Sequence, residues 1–581
     1  MEGSTDGHGT DTAQAPISRR AFARIAGAGA LAALAGPVLS ACTAAPEETP
    51  DADTTGADPN AGGVIDDGAV ATGAQVTVAI GTGNEPAAGF DPFFNWGAGE
   101  HSHEPLIQST LVTTTVDMGF QNDLATDYKV SDDGLLWTFT IRDDVRFTDG
   151  EALTAADVAY TLNGIKASRG SETDLSMIRE AAATDGTTVE LRLERPYNAL
   201  LYTLANVGIV PGHAHGTDYG EKPIGSGRYR LEQWDRGQQA VFVANPDYYG
   251  ERPLMERVVV VFMEEDASMA AVQSRQVDMA ATSAVFSSQV VDGYDILSCK
   301  SVDSRGISLP TLPFGSTKTE GDAELPAGDA VTSDLAIRRA LSYAVDRDLM
   351  VQNVLNGYGT VAFSVSDGMP WSSPDMKVVT SVDEAIRIME EGGWTFNEDG
   401  IAEKDGVRAG FELCYPSNDG IRQALANEFA NQVRAAGIVV SVSGLSWDDL
   451  YPRAYSTPIV WGWGSNSPAE LYSLFHSSGS GNFPCYSNAS VDRYLDSALE
   501  AETVEESFSL WQKAQWDGTE GIAPQGAATW VWLANIDHLY LKRTGLVVAQ
   551  QKLHPHGHGW AVLNNVDRWT WEQGQGIREQ G

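Results

Sequence analysis

The stretch WTFTIRDDVRFTDGEALTAADVAYTL, residues 137–162, contains a strand, a turn and a helix signal in one short run. Its first six residues alternate between apolar and polar, which is the pattern of a half-buried strand. Asp149 and Gly150 then signal a turn, and Thr154 is a cap-like start for the helix that follows. This one segment therefore predicts a fold in which strands and helices alternate.

Other segments extend the same mixture along the chain. Residues 75–80 alternate as a strand, and 334–359 have apolar residues at helical spacing, with Ser333 as the predicted N-cap and a stop at Gly357. A further helix is predicted at 421–436. No internal repeat of fixed period occurs, so we expect an α/β protein of several lobes.

The composition excludes some classes of partner. In 581 residues, 79 acidic against 38 basic side chains give a formal net charge of -41, which repels phosphate backbones and argues against nucleic acid. The cysteines are widely separated with no CxxC pair, so no zinc ribbon or thioredoxin-type site is encoded. They are Cys42, Cys299, Cys414 and Cys485.

The first residues have the pattern of an export signal. Arg19 and Arg20 precede a short apolar run, as in twin-arginine signals, and the sequence LSAC ending at Cys42 resembles a lipoprotein cleavage site. We predict a signal peptide at 1–41, then a lipidated Cys42 and a disordered acidic tether at 42–73. The protein is then expected outside the cytoplasm, anchored to the cell membrane.

Four stretches, in this order, resemble the family 5 extracytoplasmic solute-binding proteins of ABC importers, which include peptide binders and nickel binders. One of them contains GSGRY, similar to the family's Gly-Thr-Gly-Pro-Tyr motif. Together they span nearly the whole chain after the tether. The four stretches lie at 137–162, 223–253, 334–359 and 460–495.

This resemblance implies an α/β fold of the two-lobed periplasmic-binding-protein type II (cluster C), with an extra subdomain in the first lobe and a ligand cleft between the lobes. Solute capture by closure of the cleft would precede delivery to a membrane permease and its ATPase subunits, without chemistry or a cofactor, by a monomer. The implied ranges are 74–112, 223–310 and 528–581 for lobe I, 113–222 for the extra subdomain and 311–527 for lobe II.

The resemblance also bears on the solute, for which a peptide is the leading class. In peptide-binding relatives an acidic residue soon after the Gly-Trp of the second lobe pairs with the peptide's amino terminus, but Asn466 stands there in this chain. Dipeptide binders have an arginine in the region of 414–418, whereas the first basic residue here is Arg422. A neutral, longer or amide-bonded solute, or a peptide held by backbone hydrogen bonds and stacking, fits better than a zwitterionic dipeptide.

The residues expected to line the cleft are Trp463 first, then Trp461 and Asn466, with Phe94 and Trp96 on the opposing wall. The alternative for the two second-lobe tryptophans is a buried strand whose indoles pack into the core.

A metal chelate is the second solute class, because seven of the ten histidines recur at two-residue spacing, which on a strand places imidazoles on one face. Ordinary hydrogen bonding in loops is the favoured alternative. For the C-terminal HPHGHGW, a structural loop is favoured over a metal site, and that view predicts unchanged solute affinity when His556 and His558 are substituted. The candidate ligands are His101, His103, His213, His215, His554, His556 and His558.

A secreted enzyme is the remaining alternative. The sequence has no HExxH and no GxSxG elbow, so it is the least favoured reading.

Overall fold

A computed structural model describes residues 74–97, 102–557 and 559–572. The predicted signal peptide, Cys42 and the tether up to residue 73 lie outside the described residues, as do His101 and His558. Within the described ranges, no helix combines the length and apolar character needed to cross a membrane.

The described chain alternates strands and helices throughout. The strands are β1 Ala74–Ile80, β2 Val112–Thr114, β3 Phe120–Asn122, β4 Ala125–Val130, β5 Leu136–Ile141, β6 Ile178–Ala183, β7 Thr188–Leu193, β8 Tyr229–Asp235, β9 Gln239–Ala244, β10 Met255–Phe262, β11 Met279–Thr282, β12 Tyr294–Cys299, β13 Ser304–Ser308, β14 Ser316–Glu320, β15 Ala323–Ala327, β16 Gly359–Val361, β17 Thr395–Phe396, β18 Ala402–Lys404, β19 Val407–Arg408, β20 Gly410–Pro416, β21 Val439–Leu445, β22 Ile459–Trp463, β23 Trp530–Ile536, β24 His538–Arg543, β25 Leu546–Val547 and β26 Thr570–Trp571. The helices are α1 Ala155–Ala167, α2 Leu200–Leu204, α3 Glu265–Gln273, α4 Leu335–Ala344, α5 Arg347–Asn353, α6 Val382–Glu391, α7 Gly420–Val433, α8 Trp447–Leu450, α9 Ala469–Phe475, α10 Ala489–Leu499 and α11 Val504–Gln515.

Lobe I is built on a seven-stranded sheet in the order β12-β24-β11-β1-β10-β9-β8. β1 runs parallel to both β10 and β11, so it lies in the middle of the sheet. Val76, Val78 and Phe242 are fully buried in its core, which the C-terminal segment completes with Trp560 and Trp569. The first described strand and the segment around Trp560 and Trp569 thus share one hydrophobic core.

The extra subdomain contains a four-stranded sheet, β4-β5-β7-β6, with α1 packed on it. Trp137 and Phe139 of β5 are buried, as the alternating pattern predicts. Thr154 caps α1 in a reciprocal capping box with Asp157, whose carboxylate accepts a hydrogen bond from the Thr154 backbone N–H at 2.9 Å. The strand, turn and helix predicted for residues 137–162 are confirmed.

Lobe II is built on a six-stranded sheet in the order β16-β23-β13-β22-β20-β21. The continuous helix predicted from residue 334 is wrong, since Val345 is extended and Asp346 starts a new helix by accepting a hydrogen bond from the Leu349 N–H. The first of these helices, α4, is capped by Asp334 rather than Ser333. Aspartate outcompetes the preceding serine because its carboxylate reaches two backbone N–H groups.

The chain passes between the two sheets at residues 300–303, from β12 to β13, and again at Asp537, from β23 to β24. We call these two crossings the hinge. They are bonded to each other, because the Ser301 hydroxyl donates to the Ile536 carbonyl and the Ile536 N–H donates to the Asp303 carbonyl at 2.9 Å. β13 and β23, which fall inside the ranges predicted for lobe I, are therefore strands of the lobe II sheet.

Candidate functional site

The extra subdomain and lobe II meet in one shared apolar cluster, which we call the interlobe surface. Tyr202 of the subdomain joins this cluster, with its ring centroid 5.9 Å from that of Trp371 in lobe II. The Asn198 side-chain amide donates to the Ala498 carbonyl at 2.7 Å. The two bodies are thus closed against each other, with aromatic side chains between them.

The lobe II side of this surface has a central strand of small residues. Ser304, Gly306 and Ser308 alternate along β13 and lie between two strands that carry tryptophans. A Cβ on Gly306 would lie 2.5 Å from the ring of Trp532, so only glycine leaves room for that indole. Trp530 stacks on Trp532 with ring centroids 4.9 Å apart. The sequence thereby makes a tryptophan-rich wall.

Trp461 has the surroundings of a core residue. Its side chain is buried, its indole N–H donates to the Ser308 hydroxyl at 3.0 Å, and its ring stacks on Phe483 with centroids 4.3 Å apart. The indole N–H and one face of the Trp461 ring already make contacts within lobe II. This environment matches the alternative expectation, a buried strand whose indoles pack into the core.

Trp463 and Asn466 keep unused polar atoms. The indole Nε1 of Trp463 is buried and has no hydrogen-bond partner among the residues that the structure describes. The amide of Asn466 donates from Nδ2 to the Leu553 carbonyl at 3.0 Å, while its Oδ1 is buried and likewise without a donor in the described chain. Such atoms cost free energy unless a ligand or water satisfies them. Residues 463–466, the end of β22 and the turn after it, which we call the loop, therefore offer one donor and one acceptor.

Glu470 holds the same loop in shape. Its carboxylate accepts the backbone N–H of Gly464 at 3.0 Å and that of Ser465 at 2.7 Å. Burial raises the pKa of Glu470 to about 7, and the negative charge of Asp303 acts in the same direction. Gly464 has φ of 153°, and a Cβ there would lie 2.1 Å from the Val302 carbonyl oxygen, so the turn requires glycine.

Phe94 and Trp96 are not brought to this loop. Phe94 is 47% exposed and lies against Gly170 of the subdomain, where a Cβ would be 2.7 Å from its ring. Trp96 is buried in the lobe I core, and its indole N–H donates to Gln108 Oε1 at 2.9 Å. From lobe I, the Leu553 carbonyl contacts Asn466 instead, and Leu553 packs against the same apolar cluster as Trp463.

The histidine pair of the subdomain divides between two carboxylates. His213 Nε2 lies 2.7 Å from Asp149, and His215 Nε2 lies 3.1 Å from Asp91. The two imidazoles thus have separate partners although they are two residues apart. They make the ordinary hydrogen bonds that the sequence favours for such pairs.

His103 is buried in lobe I with its Nδ1 3.1 Å from the Glu104 carbonyl oxygen. Across residues 74–97, 102–557 and 559–572, no three His, Cys, Asp or Glu side chains are grouped so that they could hold a metal ion.

A buried carboxylate at the hinge contacts His538 and His556, and His538 Nδ1 in turn lies 3.1 Å from His554 Nδ1. Asp303 is fully buried and pairs with the Arg305 guanidinium; His538 Nε2 lies 3.1 Å from its Oδ2 and His556 Nδ1 lies 2.5 Å from its Oδ1. Although burial alone would raise it, the charges of Arg305 and His556 hold the pKa of Asp303 well below its usual range. Burial, together with His538, holds the pKa of His554 well below its ordinary value.

Arg422, at the start of α7, is paired within lobe II. Its Nη1 donates to Asp419 at 3.0 Å, and its guanidinium carbon lies 5.6 Å from the ring centroid of Trp447. A Cβ on Gly462 would lie 2.4 Å from Arg422 and 2.8 Å from Arg305, so both cations approach the backbone just before Trp463.

Sequence reasoning missed Asp303, His538 and Glu470. Asp303 and His538 are 235 positions apart and meet only because both hinge crossings lie side by side. For Glu470 a local signal existed, since an acid shortly after the glycine of a turn can bind its backbone N–H groups.

Known proteins share this architecture. The family model described as bacterial extracellular solute-binding proteins, family 5 Middle, matches residues 119–484. Protein XP55 of Streptomyces lividans is 33% identical over 494 residues, which cover 81% of this chain and 85% of that protein. Oligopeptide-binding protein AppA of Bacillus subtilis is 26% identical over 561 residues, 91% of this chain and 96% of that protein. The structure of NikA from Brucella suis in complex with Fe(III)-EDTA superposes with a TM-score of 0.71 at 20% identity, over 85% of this chain and all of that one.

The matched segment covers more than half of the chain, and the structural likeness supports the same overall fold. The predicted α/β fold of two lobes is confirmed. Two of the relatives are named as an oligopeptide-binding protein and a nickel-binding periplasmic protein. The chain therefore belongs to family 5 of the bacterial extracellular solute-binding proteins.

Proposed function

We propose that this protein captures a peptide-like solute at the interlobe surface and delivers it to the permease of an ABC importer. The observation that carries the proposal is the pair of buried, unused polar atoms on one loop, Trp463 Nε1 and Asn466 Oδ1. A peptide backbone supplies a carbonyl for the first and an N–H for the second.

The charges around the loop support a solute held by backbone hydrogen bonds and stacking. The carboxylates of Asp303 and Asp419 are each paired with an arginine, and Glu470 accepts two backbone N–H groups. A free ammonium would have to displace one of these donors to find a counter-ion. Tryptophan rings on the same surface offer apolar area to side chains of the solute.

The comparison with relatives supports a peptide as the solute, since one relative is named an oligopeptide-binding protein and its similarity extends over almost the whole chain. The export signal and LSAC sequence favour a lipid anchor at Cys42, with the acidic tether between membrane and lobes. Closure of the lobes then gives the permease a form to recognise, and the solute leaves chemically unchanged.

The test is mass spectrometry and elemental analysis of whatever co-purifies with the protein. We expect one or more peptides, unmodified and without metal. Stoichiometric nickel without peptide would replace the proposal by a metal-chelate carrier, and release of a chemically altered solute would point to an enzyme.

A matched pair of variants locates the site. Trp463→Ala should reduce the amount of co-purifying solute by about tenfold to a hundredfold, because one hydrogen bond and one stacking surface are lost. Trp461→Ala should instead lower the unfolding free energy by about 3–5 kcal/mol, as for other buried aromatic residues. If Trp463→Ala retains its solute in full, this loop is not the binding site.

A further inference from the structure

The segment 553–557, which we call the latch, contacts both lobes. It precedes Trp560, whose side chain is buried in the lobe I core, and thus belongs to lobe I. On its other side it reaches the lobe II loop that carries Trp463 and Asn466. Few segments of a two-lobed protein are placed to sense the position of both bodies.

Two backbone groups of the latch bind the loop. The Leu553 carbonyl accepts a hydrogen bond from the Asn466 side chain at 3.0 Å. The His556 N–H donates to the Gly464 carbonyl at 2.7 Å. Since Glu470 holds the N–H of Gly464 from within lobe II, the conformation of this glycine is fixed from both lobes.

Backbone groups of His554 and the side chain of His556 bind the latch to the hinge. The Val302 N–H donates to the His554 carbonyl at 2.9 Å, and the His554 N–H donates to the Lys300 carbonyl at 3.0 Å. His556 Nδ1 lies 2.5 Å from Asp303 Oδ1, and the Gly557 N–H lies 3.4 Å from Oδ2 of the same carboxylate. Asp303 is on the first crossing and His538, its other imidazole partner, starts the strand after the second. The carboxylate therefore joins both crossings to the latch.

We propose that the latch couples closure of the lobes to the shape of the binding loop, with His556 and Asp303 as positioning residues. This inference rests on the proposed capture of solute by closure. When the lobes separate, the bonds from Leu553 and His556 to the loop must break, whereas Asp303 moves least because it lies on the hinge. His556 then orders the loop only in the closed form. Unlike the structural-loop view, the proposal expects solute affinity to depend on His556.

The test uses amide hydrogen exchange of the whole chain as purified, with its co-purifying solute retained so that the closed form is populated. His556→Ala removes the bond to Asp303, and we expect exchange at 464–466 to rise about tenfold, since a hydrogen bond to a charged group is worth at least that factor. His556→Asn keeps a donor near the position of Nδ1 and should remain close to wild type, whereas His556→Gln should behave like alanine. His213→Ala, which removes an exposed histidine of the subdomain, is the control.

Faster exchange at 464–466 in the alanine and glutamine variants alone supports the latch. Equal exchange in all variants, or a rise confined to residues 554–560, overturns it. Should His556→Ala fail to fold, Asn466→Ala cuts the Leu553 contact independently and should also raise exchange at 464 and 465. Mass spectrometry of the same wild-type sample shows whether solute is present, so failure of the proposed function is told apart from failure of the latch alone. If folded His556→Ala retains the co-purifying solute at the wild-type level, the latch proposal is wrong and the proposed function still stands.

Discussion

Two buried aspartates of this protein bind imidazoles, yet they are placed very differently. Asp91 accepts the Phe93 N–H at 2.9 Å and pairs with His215, all within lobe I and its subdomain. Asp303 pairs with Arg305 of the lobe II sheet and with His556 of the lobe I latch. Both are contacts between a carboxylate and an imidazole, but only the second joins residues of the two lobes. The role of an aspartate–histidine contact therefore depends on which parts of the fold it joins and not on the residue types alone.

The largest difference should appear when each carboxylate is neutralised. Asp303→Asn leaves the buried Arg305 without its counter-ion, and we expect the unfolding free energy to fall by about 3–5 kcal/mol. Asp91→Asn loses a turn cap and one imidazole contact, for about 1–2 kcal/mol. Urea denaturation of both variants measures the two losses. Equal losses would show that the buried Arg305 does not depend on the charge of Asp303 for stability.

The second prediction concerns pH and the loop attached to the latch. With a folded pKa of about 7 against an ordinary 4.5, Glu470 is protonated in the native state and ionised in the unfolded state between these values. Its stabilising contribution is complete below about pH 4.5 and is lost as pH rises through 7, by up to about 3 kcal/mol. Unfolding free energies measured from pH 5 to 8 should fall less steeply in Glu470→Gln. Identical slopes would mean that Glu470 is already ionised in the native protein.

A smaller effect is expected inside lobe I. His215→Ala removes the contact with Asp91, a hydrogen bond with Tyr160 and a ring contact at 4.2 Å with Phe93, for about 1–3 kcal/mol. Because none of these partners lies in lobe II, amide exchange of the loop 464–466 should be unchanged. An increase there would extend the coupling beyond the hinge and weaken the contrast between the two aspartates.

The smallest effect should come from the exposed member of the same pair. His213 is 41% exposed and contacts Asp149 at the surface, so His213→Ala should change the unfolding free energy by no more than about 0.5 kcal/mol. Thermal unfolding of this variant measures the change in stability expected from losing an exposed histidine, against which the other variants are compared. A loss as large as that of His215→Ala would mean that the exposure of these two histidines does not predict their contribution to stability.

Local patterns predict local structure well here. The capping box at Thr154 and the alternation around Trp137 depend on neighbours in sequence, and both were predictable. The break after Ala344 was missed, although Asp346 is a good N-cap, because apolar spacing continues across it. Periodicity is a weaker guide than a capping side chain at such a point.

The site was only partly predictable because its residues are distant in sequence. The family resemblance indicated Trp463 and Asn466, whose unused polar atoms fit that role. The same reasoning placed Trp96 on the cleft wall, but the burial of an aromatic ring depends on tertiary packing, and this indole lies in the lobe I core. Asp303 gave no signal, since its imidazole partners come from residues more than 200 positions away.

The two hinge crossings are short and bonded side by side, which restricts how the lobes can move. Hydrogen bonds at Ser301, Ile536 and Asp303 join the two crossings, so a rotation of one crossing also rotates the other. In the proposed opening of the lobes, we therefore expect one rotation about the hinge, with little sliding or shearing. A single pair of labels, one on each lobe, should therefore report the entire opening motion as one distance.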